Sequence, residues 1–391
     1  MEVVMLRFLS AGESHGKCLV GILEGMVSHL SISESDIDSE LSRRQKGYGR
    51  GKRMQIETDR AEILSGVRGG ETTGAPISFL IRNADHENWI KIMDIQQKND
   101  GGERYVPRPG HADLPGVVKY GFDDIRNIIE RSSARETAAR VAAGAICRKF
   151  LSEFSIFFYS RVIQLGRIKD NSSPYELTTE DFEIIEQSEV RNTAKEKEMK
   201  REIDNAQKKG ESIGGVFEIT ARGLCPGMGS HVHWDRRLDA SISGLLMSIP
   251  GVKGVEIGAG FGGMHLKGSE FHDEIYVKNG RGAFRKTNNA GGIEGGMTNG
   301  EALWIKCAMK PIPTLKNPLS SFHIRTMKES VSYYERSDTC AVIPAAVVAE
   351  NFLAFCIADK FIEKFGGDSM KEVKANYKSY VKSIGRYWKN D

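Results

Sequence analysis

The apolar positions of this chain change period several times, and each change predicts an element. From Asp123 or Asp124, either of which can cap a helix, to Leu151, the residues Ile125, Ile128, Ile129, Ala138, Ala142, Ala145 and Ile146 recur at helical spacing on one side. The second half of this stretch is packed with alanine, whose small side chain lets neighbouring backbones come close. The helix is therefore expected at the centre of the fold. Residues 193–209 are nearly all charged and predict a surface helix. Further helices are expected at 36–44, 235–247, 345–365 and 370–384. Runs rich in β-branched or aromatic residues predict strands at 6–11, 62–65, 77–81, 154–163, 215–221, 252–257 and 302–309. Strands and helices alternate only irregularly, which favours an α+β layered fold, helices on antiparallel sheet, over a doubly wound parallel sheet. No compositional break or repeat divides the chain, so residues 1–391 are expected to form one domain.

Composition narrows the function classes. With 55 basic against 52 acidic residues, the net charge of +3 gives no general reason to expect nucleic acid or membrane as a partner. No stretch reads as the ~20 apolar residues of a membrane span. No basic start, apolar run and cleavage site marks a signal peptide, so a cytoplasmic location is expected. Six cysteines are scattered without a C-x-x-C pair and read as reduced, structural thiols. The 42 glycines are bunched at 47–51, 66–74, 101–116, 251–268 and 279–300. Irregular glycine-rich loops inside an enzyme are the first places to look for a site.

Several of these loops carry chemistry. Arg43-Arg44-Gln45-Lys46-Gly47-Tyr48-Gly49-Arg50-Gly51-Lys52-Arg53 holds six basic residues and no acid. Three readings compete: a solvated basic face, a nucleic-acid contact with Tyr48 as a stacking group, and arginines aimed at phosphate and carboxylate groups. The interleaved glycines favour the third, since they would let the loop fold over a small anion. In Pro107-Arg108-Pro109-Gly110-His111-Ala112-Asp113 two prolines stiffen a loop that presents an arginine and a histidine, a combination suited to proton transfer near neutral pH. His15, just after a predicted strand, is a second candidate. A lone histidine is as readily a packed or surface residue. Arg131-Ser132-Ser133-Ala134-Arg135-Glu136-Thr137 breaks the apolar pattern of the central helix, either as an internal salt-bridge network through Glu130 and Glu136 or as a ligand site.

Other signals are weaker. Gly258-Ala259-Gly260-Phe261-Gly262-Gly263 matches a dinucleotide fingerprint but is followed by no helix to hold a pyrophosphate, so that reading is rejected. The pairs His231/His233 and His265/His272 lack the carboxylates or cysteines of a metal site, and no metal is expected. Lys310-Pro311-Ile312-Pro313-Thr314 is stiff and extended, an edge strand or the wall of a flat ligand site. Glu335-Arg336-Ser337-Asp338-Thr339 sets an arginine two residues from an aspartate, both within reach of one pocket.

Taken in order, these stretches resemble the chorismate synthase family. The likeness runs through Ala11-Gly-Glu-Ser-His-Gly16, Arg43 to Gly51, Arg108-Pro-Gly-His-Ala-Asp-Leu114, Glu130-Arg-Ser-Ser-Ala-Arg-Glu-Thr137, Trp234-Asp-Arg-Arg-Leu-Asp-Ala240, Asn288 to Gly300, Lys310 to Thr314 and Glu335-Arg-Ser-Asp338. The resemblance implies anti-1,4-elimination of phosphate from 5-enolpyruvylshikimate 3-phosphate to give chorismate, with reduced FMN and no net redox change. It places Arg44, Arg50, Arg53, Arg108 and Arg135 at the substrate, and Arg44 and Arg50 also at NADP. It places Arg131, Ser132, Ser133, Gly244, Leu245, Gly295, Lys310, Pro311, Ile312, Pro313, Thr314 and Arg336 at the flavin. The Gly244-Leu245 pair departs from the polar-alanine pair common in the family, so contact there would run through backbone. By the same resemblance His15 supplies a proton to the departing phosphate and His111 protonates the flavin near N1. Asp338, with Ser14 or Ser133, assists at N5. It further implies a homotetramer of subunits built as β-α-β sandwiches, with central helices between antiparallel sheets. A separate flavin reductase or other source of reduced FMN is expected, with NADPH as an indirect reductant.

Overall fold

In the computed structural model, which describes residues 5–50, 58–97, 102–173, 177–278, 282–335 and 337–388, the strands Arg7–Gly12, Cys18–Glu24, Ile77–Arg82 and Ala61–Ser65 lie side by side in that order. Each is antiparallel to the next. Leu19 and Leu23 on one strand, and Ile77, Phe79 and Ile81 on its neighbour, are buried at alternate positions, as a sheet with one covered face requires. The strand Cys18–Glu24 is absent from the sequence reading because Gly21 interrupts its apolar run. A side chain there would meet the Phe79 ring at 2.2 Å, so the gap in the pattern is room for an aromatic. A second antiparallel sheet has the order Val252–Ile257, Leu303–Met309, Gly215–Arg222, Phe157–Leu165 and the short Ile168–Lys169.

The helices are α1 (Glu34–Gln45), α2 (Asp113–Tyr120), α3 (Arg126–Ser132), α4 (Thr137–Ser152), α5 (Thr179–Gln187), α6 (Glu196–Lys208), α7 (Leu238–Met247), α8 (Gly268–Phe271), α9 (Val342–Phe365) and α10 (Met370–Ile384). The fold class is mixed α+β, as the irregular alternation of elements suggests. Helix α4 packs on the strand Cys18–Glu24 of the first sheet and on α9, and α9 in turn covers Phe157–Leu165 and Gly215–Arg222 of the second. Small residues bring α4 and α9 together: a Cβ added at Gly144 would lie 2.2 Å from the Asn351 carbonyl oxygen.

Three expectations change. The single helix expected from residue 123 or 124 to 151 is broken. Helix α3 stops at Ser132, Ser133 is extended, and a 3₁₀ turn Ala134–Glu136 leads into α4. The Ser133 hydroxyl accepts the Arg135 N–H and the Thr137 hydroxyl donates to the Ala134 carbonyl, so local side-chain bonds replace the helical ladder. Secondly, α9 is long and apolar enough to cross a membrane by length and composition, against the sequence reading. Here it is a core helix, 94% buried over its most apolar window. Thirdly, α2 and α5 have no counterpart in the sequence reading.

All six cysteines are free, and burial pushes Cys225, Cys307, Cys340 and Cys356 up to about 12. The Gly258–Gly263 stretch forms a 3₁₀ turn, Gly260–Gly263, and the helix after it, α8, has four residues, in line with the rejected dinucleotide reading.

Glu350 on α9 is a fully buried carboxylate of the core, paired with Arg43 of α1, Arg148 of α4 and Arg191, each through a nitrogen 2.7 or 2.8 Å away. Burial alone would raise its pKa, but three guanidiniums hold it well below the ordinary glutamate value. Gly144→Ala should destabilise the fold by about 1–3 kcal/mol, the usual range for an overpacked core. A lower midpoint in urea with an unchanged slope would show this, whereas an unchanged midpoint would mean that α4 and α9 separate freely.

Candidate active site

Two adjacent arginines at the end of α1 face different parts of the molecule. Arg43 pairs with Glu40, Glu186 and Glu350 and ties the helix to the core. Arg44 is buried: its Nε donates to Thr137 Oγ1 at 3.0 Å, Nη2 to the Ala134 carbonyl at 3.1 Å and Nη1 to Asp59 at 3.2 Å. Arg135, in the 3₁₀ turn, donates to the other oxygen of Asp59, to Asn83 Oδ1 at 2.8 Å and to the Arg82 carbonyl at 3.2 Å. Asp59 is itself held by the Gln45 side chain at the end of α1, which accepts its backbone N–H at 3.2 Å. Arg50 pairs with Asp338 at 2.8 Å, and its Nε is buried with no hydrogen-bond partner among the described residues. Burial is opposed by Asp59 and reinforced by Arg135 and Arg50, and the balance pushes Arg44 down to about 10.

These placements bear on the readings of the basic segment. Arg43, Arg44 and Arg50 turn inward onto carboxylates, and Tyr48 donates its hydroxyl to Asp204 at 2.9 Å while the Lys200 ammonium lies over its ring. The two described glycines serve the protein's own packing. Gly47 and Gly49 both have positive φ, and a Cβ would meet Ile343 at 2.9 Å or Ile203 at 2.7 Å. Arg53 lies outside the described residues, as does Arg336.

A second cluster holds both histidines. His15 sits in the turn after the strand Arg7–Gly12, with Nδ1 3.0 Å from the Glu130 carboxylate and its ring stacked on Trp89. Arg126 donates to Glu130 at 3.2 Å and pairs with Glu335 at 3.3 Å, and Glu335 reaches Arg108 at 3.8 Å. Arg108 donates from its backbone and from Nε to Asp113, the first residue of α2, and from Nη1 to Thr314 Oγ1 at 3.3 Å. His111 lies against Asp113 and Arg108. A continuous chain of charged groups therefore joins His15 to His111. Burial opposes the charge of Asp113, but His111 and Arg108 hold its carboxyl well below the usual range. Burial likewise opposes the charge of Glu130, and His15 with Arg126 draws it down.

Asn83 connects the two clusters. Its Oδ1 accepts from Arg135 while its Nδ2 donates to the carbonyls of Glu13 and Gly16, on either side of His15. Ser14 belongs to the same junction, donating to Ser133 Oγ at 3.1 Å. Asp59, Asn83 and Trp89 were not singled out from the sequence, since each stands outside any motif. Arg126 was missed as well, though its i, i+4 spacing to Glu130 was a usable signal.

The remaining candidates divide by location. Arg131 is exposed and donates to the carbonyls of Ser10 and Gly12, at the end of the first strand. The Ser132 hydroxyl turns back to the Ile128 carbonyl at 2.7 Å, so its side chain serves its own helix. Lys310 donates to the Gly110 carbonyl, which lays the segment Lys310 to Thr314 against the loop of Arg108 and His111, and Ser212 donates to the Ile312 carbonyl at 2.6 Å. Gly244 and Leu245 lie on α7. Ser248, just past its end, accepts from Arg140 at 2.8 Å, and the Lys310 N–H donates to the Gly251 carbonyl at 2.9 Å. Gly295 lies at the opposite end of α7, where the Gly296 carbonyl accepts the Leu238 N–H. Among the described candidates, Lys310 to Thr314 therefore lies against the loop of Arg108 and His111, α7 is tied to α4 through Arg140 and Ser248, and Gly295 lies at the other end of α7. Among the described residues no group of three or more His, Cys, Asp or Glu is placed to hold a metal ion, and His233 pairs with Asp235 at 2.6 Å.

Comparison with known proteins gives this geometry a context. The sequence model of the chorismate synthase family matches residues 6–362. A chorismate synthase of Syntrophomonas wolfei is 50% identical over 392 residues, covering 99% of each chain. One of Aquifex aeolicus is 52% identical over 398 residues, covering 98% of this chain and 99% of its own. A crystal structure of chorismate synthase superposes with a TM-score of 0.80 at 44% identity and covers 98% of this chain and 99% of its own. With half its residues identical along nearly its whole length and the backbone shared, this chain belongs to the chorismate synthase family.

Proposed function

We propose that the two linked charged clusters are the seat of the reaction that family membership brings, conversion of 5-enolpyruvylshikimate 3-phosphate to chorismate and phosphate. The enzyme is a carbon-oxygen lyase of the shikimate pathway to aromatic amino acids. The observation that supports this placement is the charge of the first cluster. Arg44, Arg50 and Arg135 are brought together around Asp59 and Asp338, and the buried Arg50 Nε has no hydrogen-bond acceptor among the described residues. A phosphate with two carboxylates supplies the missing acceptors. Arg108 faces the same substrate from the second cluster, and Arg53 is assigned to it by motif alone.

In this reading His15 gives a proton to the phosphate oxygen as the C–O bond breaks and its electron pair leaves with phosphate. Fixed guanidiniums stabilise the charge that develops there without the reorganisation water would need. His111, clamped by Asp113 and Arg108, acts as a proton-handling group on the flavin side, and the proton lost from C6 of the substrate, which completes the elimination, leaves on that side with the help of Asp338 and Ser14. The residues present fit a flavin. Arg131 presents an exposed guanidinium beside the Ser133 break, the stiff wall of Lys310 to Thr314 lies against the loop of His111, and neither proline of that wall carries an N–H to leave unsatisfied. Reduced FMN, when bound, lends electron density to the allylic system and recovers it, so there is no net redox change. Backbone at Gly244 and Leu245 would meet it, with Gly295 and Arg336 assigned by motif.

The same reading extends to the assembly. The helices α4 and α9 lie between the two sheets in the manner of a β-α-β sandwich, and a single hydrophobic cluster draws on residues from Leu6 to Trp388, which supports one domain. Exposed Val232, Trp234, Phe261 and Val277 are apolar surface that other copies would cover in a homotetramer. The location is cytoplasmic, where a separate reductase or other source supplies reduced FMN and NADPH serves as an indirect reductant.

Anaerobic incubation with 5-enolpyruvylshikimate 3-phosphate and chemically reduced FMN should release phosphate and form chorismate. His15→Ala and His111→Ala should each cut turnover by about 10²-fold or more with the fold intact, and unchanged turnover in both would refute their roles. Arg50→Gln should raise KM for the substrate by about ten- to a hundred-fold, the equivalent of one charge-assisted hydrogen bond. Aerobic NADPH oxidation by the purified chain with added FMN should be absent; its presence would mean that the enzyme reduces its own flavin.

A further inference from the structure

Glu130 takes no part in the roles assigned above, yet it touches His15 at more than one point. Its Oε2 accepts the His15 backbone N–H at 2.9 Å, and both carboxylate oxygens lie 3.0 Å from Nδ1. The imidazole ring stacks on Trp89, with centroids 3.8 Å apart and planes 27° from parallel. Trp89 is itself fixed, donating Nε1 to Asp85 at 3.2 Å, and the Arg126 guanidinium lies 5.1 Å from its ring centre. His86 donates Nδ1 to the His15 carbonyl at 3.0 Å. Backbone, ring plane and one ring nitrogen of His15 are all constrained, which a histidine used only for packing does not require.

Glu130 is constrained in turn. Arg126, four residues earlier on α3, donates to it at 3.2 Å, and the Arg126 Nε is anchored on the Gly102 carbonyl at 3.0 Å. Arg126 Nη2 is buried without a hydrogen-bond partner among the described residues, so this guanidinium is held against Glu130 and Glu335 at some cost. The charged chain from Glu130 through Arg126, Glu335 and Arg108 to Asp113 sets three carboxylates against two guanidiniums. It balances when one of the two histidines carries a proton.

We propose that Glu130, held by Arg126, is a positioning residue that accepts the Nδ1–H of His15 and so reserves Nε2 for the proton delivered to the departing phosphate. After transfer the ring is left as the Nδ1–H tautomer, the form that the carboxylate stabilises. The proposal rests on the proton-donor reading of His15. Among the described residues, the ionisable groups that face His15 or its immediate contacts include Glu130, Arg126, Glu335, Asp85 and His86, and Glu130 is in contact with the ring nitrogen Nδ1.

The tautomer is the first test and needs neither flavin nor turnover. In the full-length protein labelled with 15N in imidazole, with His15 assigned from His15→Gln, the neutral ring should be protonated at Nδ1; protonation at Nε2 overturns the proposal. Kinetics provide the second test. In Glu130→Gln, kcat should fall by about 10²-fold with KM little changed, and its alkaline limb should move to lower pH, because a carboxylate no longer favours the imidazolium. Glu130→Asp, which keeps the charge, should recover part of kcat and the original pH profile. Wild-type kcat and pH profile in Glu130→Gln overturn the proposal. If Glu130→Gln does not fold, the tautomer in the unmodified protein decides. Wild-type turnover in His15→Ala would overturn the donor role itself, and is told apart because the Nδ1–H tautomer survives it.

Discussion

Asp59 is a carboxylate removed from solvent and set between two guanidiniums, and the arrangement of the site depends on it. Unit charges 4 Å apart interact by about 4 kcal/mol at an effective dielectric of 20, so Arg44 and Arg135 would repel strongly without the anion between them. Asp59 joins the end of α1 to the 3₁₀ turn before α4, two parts of the chain about 90 residues apart, and does so with one oxygen for each arginine. Among the described residues it is the carboxylate that the two arginines share. Asymmetry between Arg44 and Arg43 follows from the same logic. Arg43 is spent on Glu350 in the core, where three guanidiniums surround one carboxylate, and has no part in the site.

The break at Ser133 turns this electrostatic arrangement into a site. A continuous helix from Arg126 to Ser152 would have carried Arg135 along its own axis. Because Ser133 and Thr137 bond to nearby backbone, the chain leaves the helix for one residue and a 3₁₀ turn, and Arg135 reaches Asp59 and Asn83. Ser14 meets Ser133 at the same break, while the α3 residues Arg126 and Glu130 support His15. One local interruption therefore places residues of the arginine cluster and of the histidine cluster on opposite sides of a single junction. Asn83, at the end of a first-sheet strand, closes it through carbonyls on both sides of His15.

Much of this was legible along the chain, and the failures have physical causes. Periodicity located α4, α6, α9, α10 and most of the long strands, because buried faces impose their spacing on the sequence. It failed at Cys18–Glu24, where Gly21 makes room for Phe79 and a packing contact looks like a break. It ran through Ser133, since hydroxyls that end a helix also occur inside one. The glycines of residues 47–51 were read as freedom to fold over an anion, while those described fit against Ile343 and Ile203. Most candidate site residues were visible because they cluster in motifs with chemistry in common. Asp59, Asn83 and Trp89 were invisible because each is a single residue whose partners are far away in sequence.

The sequence by itself determined the fold class, the inventory of arginines and histidines, and through its ordered motifs the family. Those properties are local or cumulative: period, composition and short stretches survive without three-dimensional context. Only the tertiary structure decided which arginines are spent on core carboxylates and which carboxylate holds each histidine. Partners are chosen by distances between residues dozens to hundreds of positions apart, as from Arg43 to Glu350 or from His15 to Glu130, and burial then sets how strongly each pair interacts.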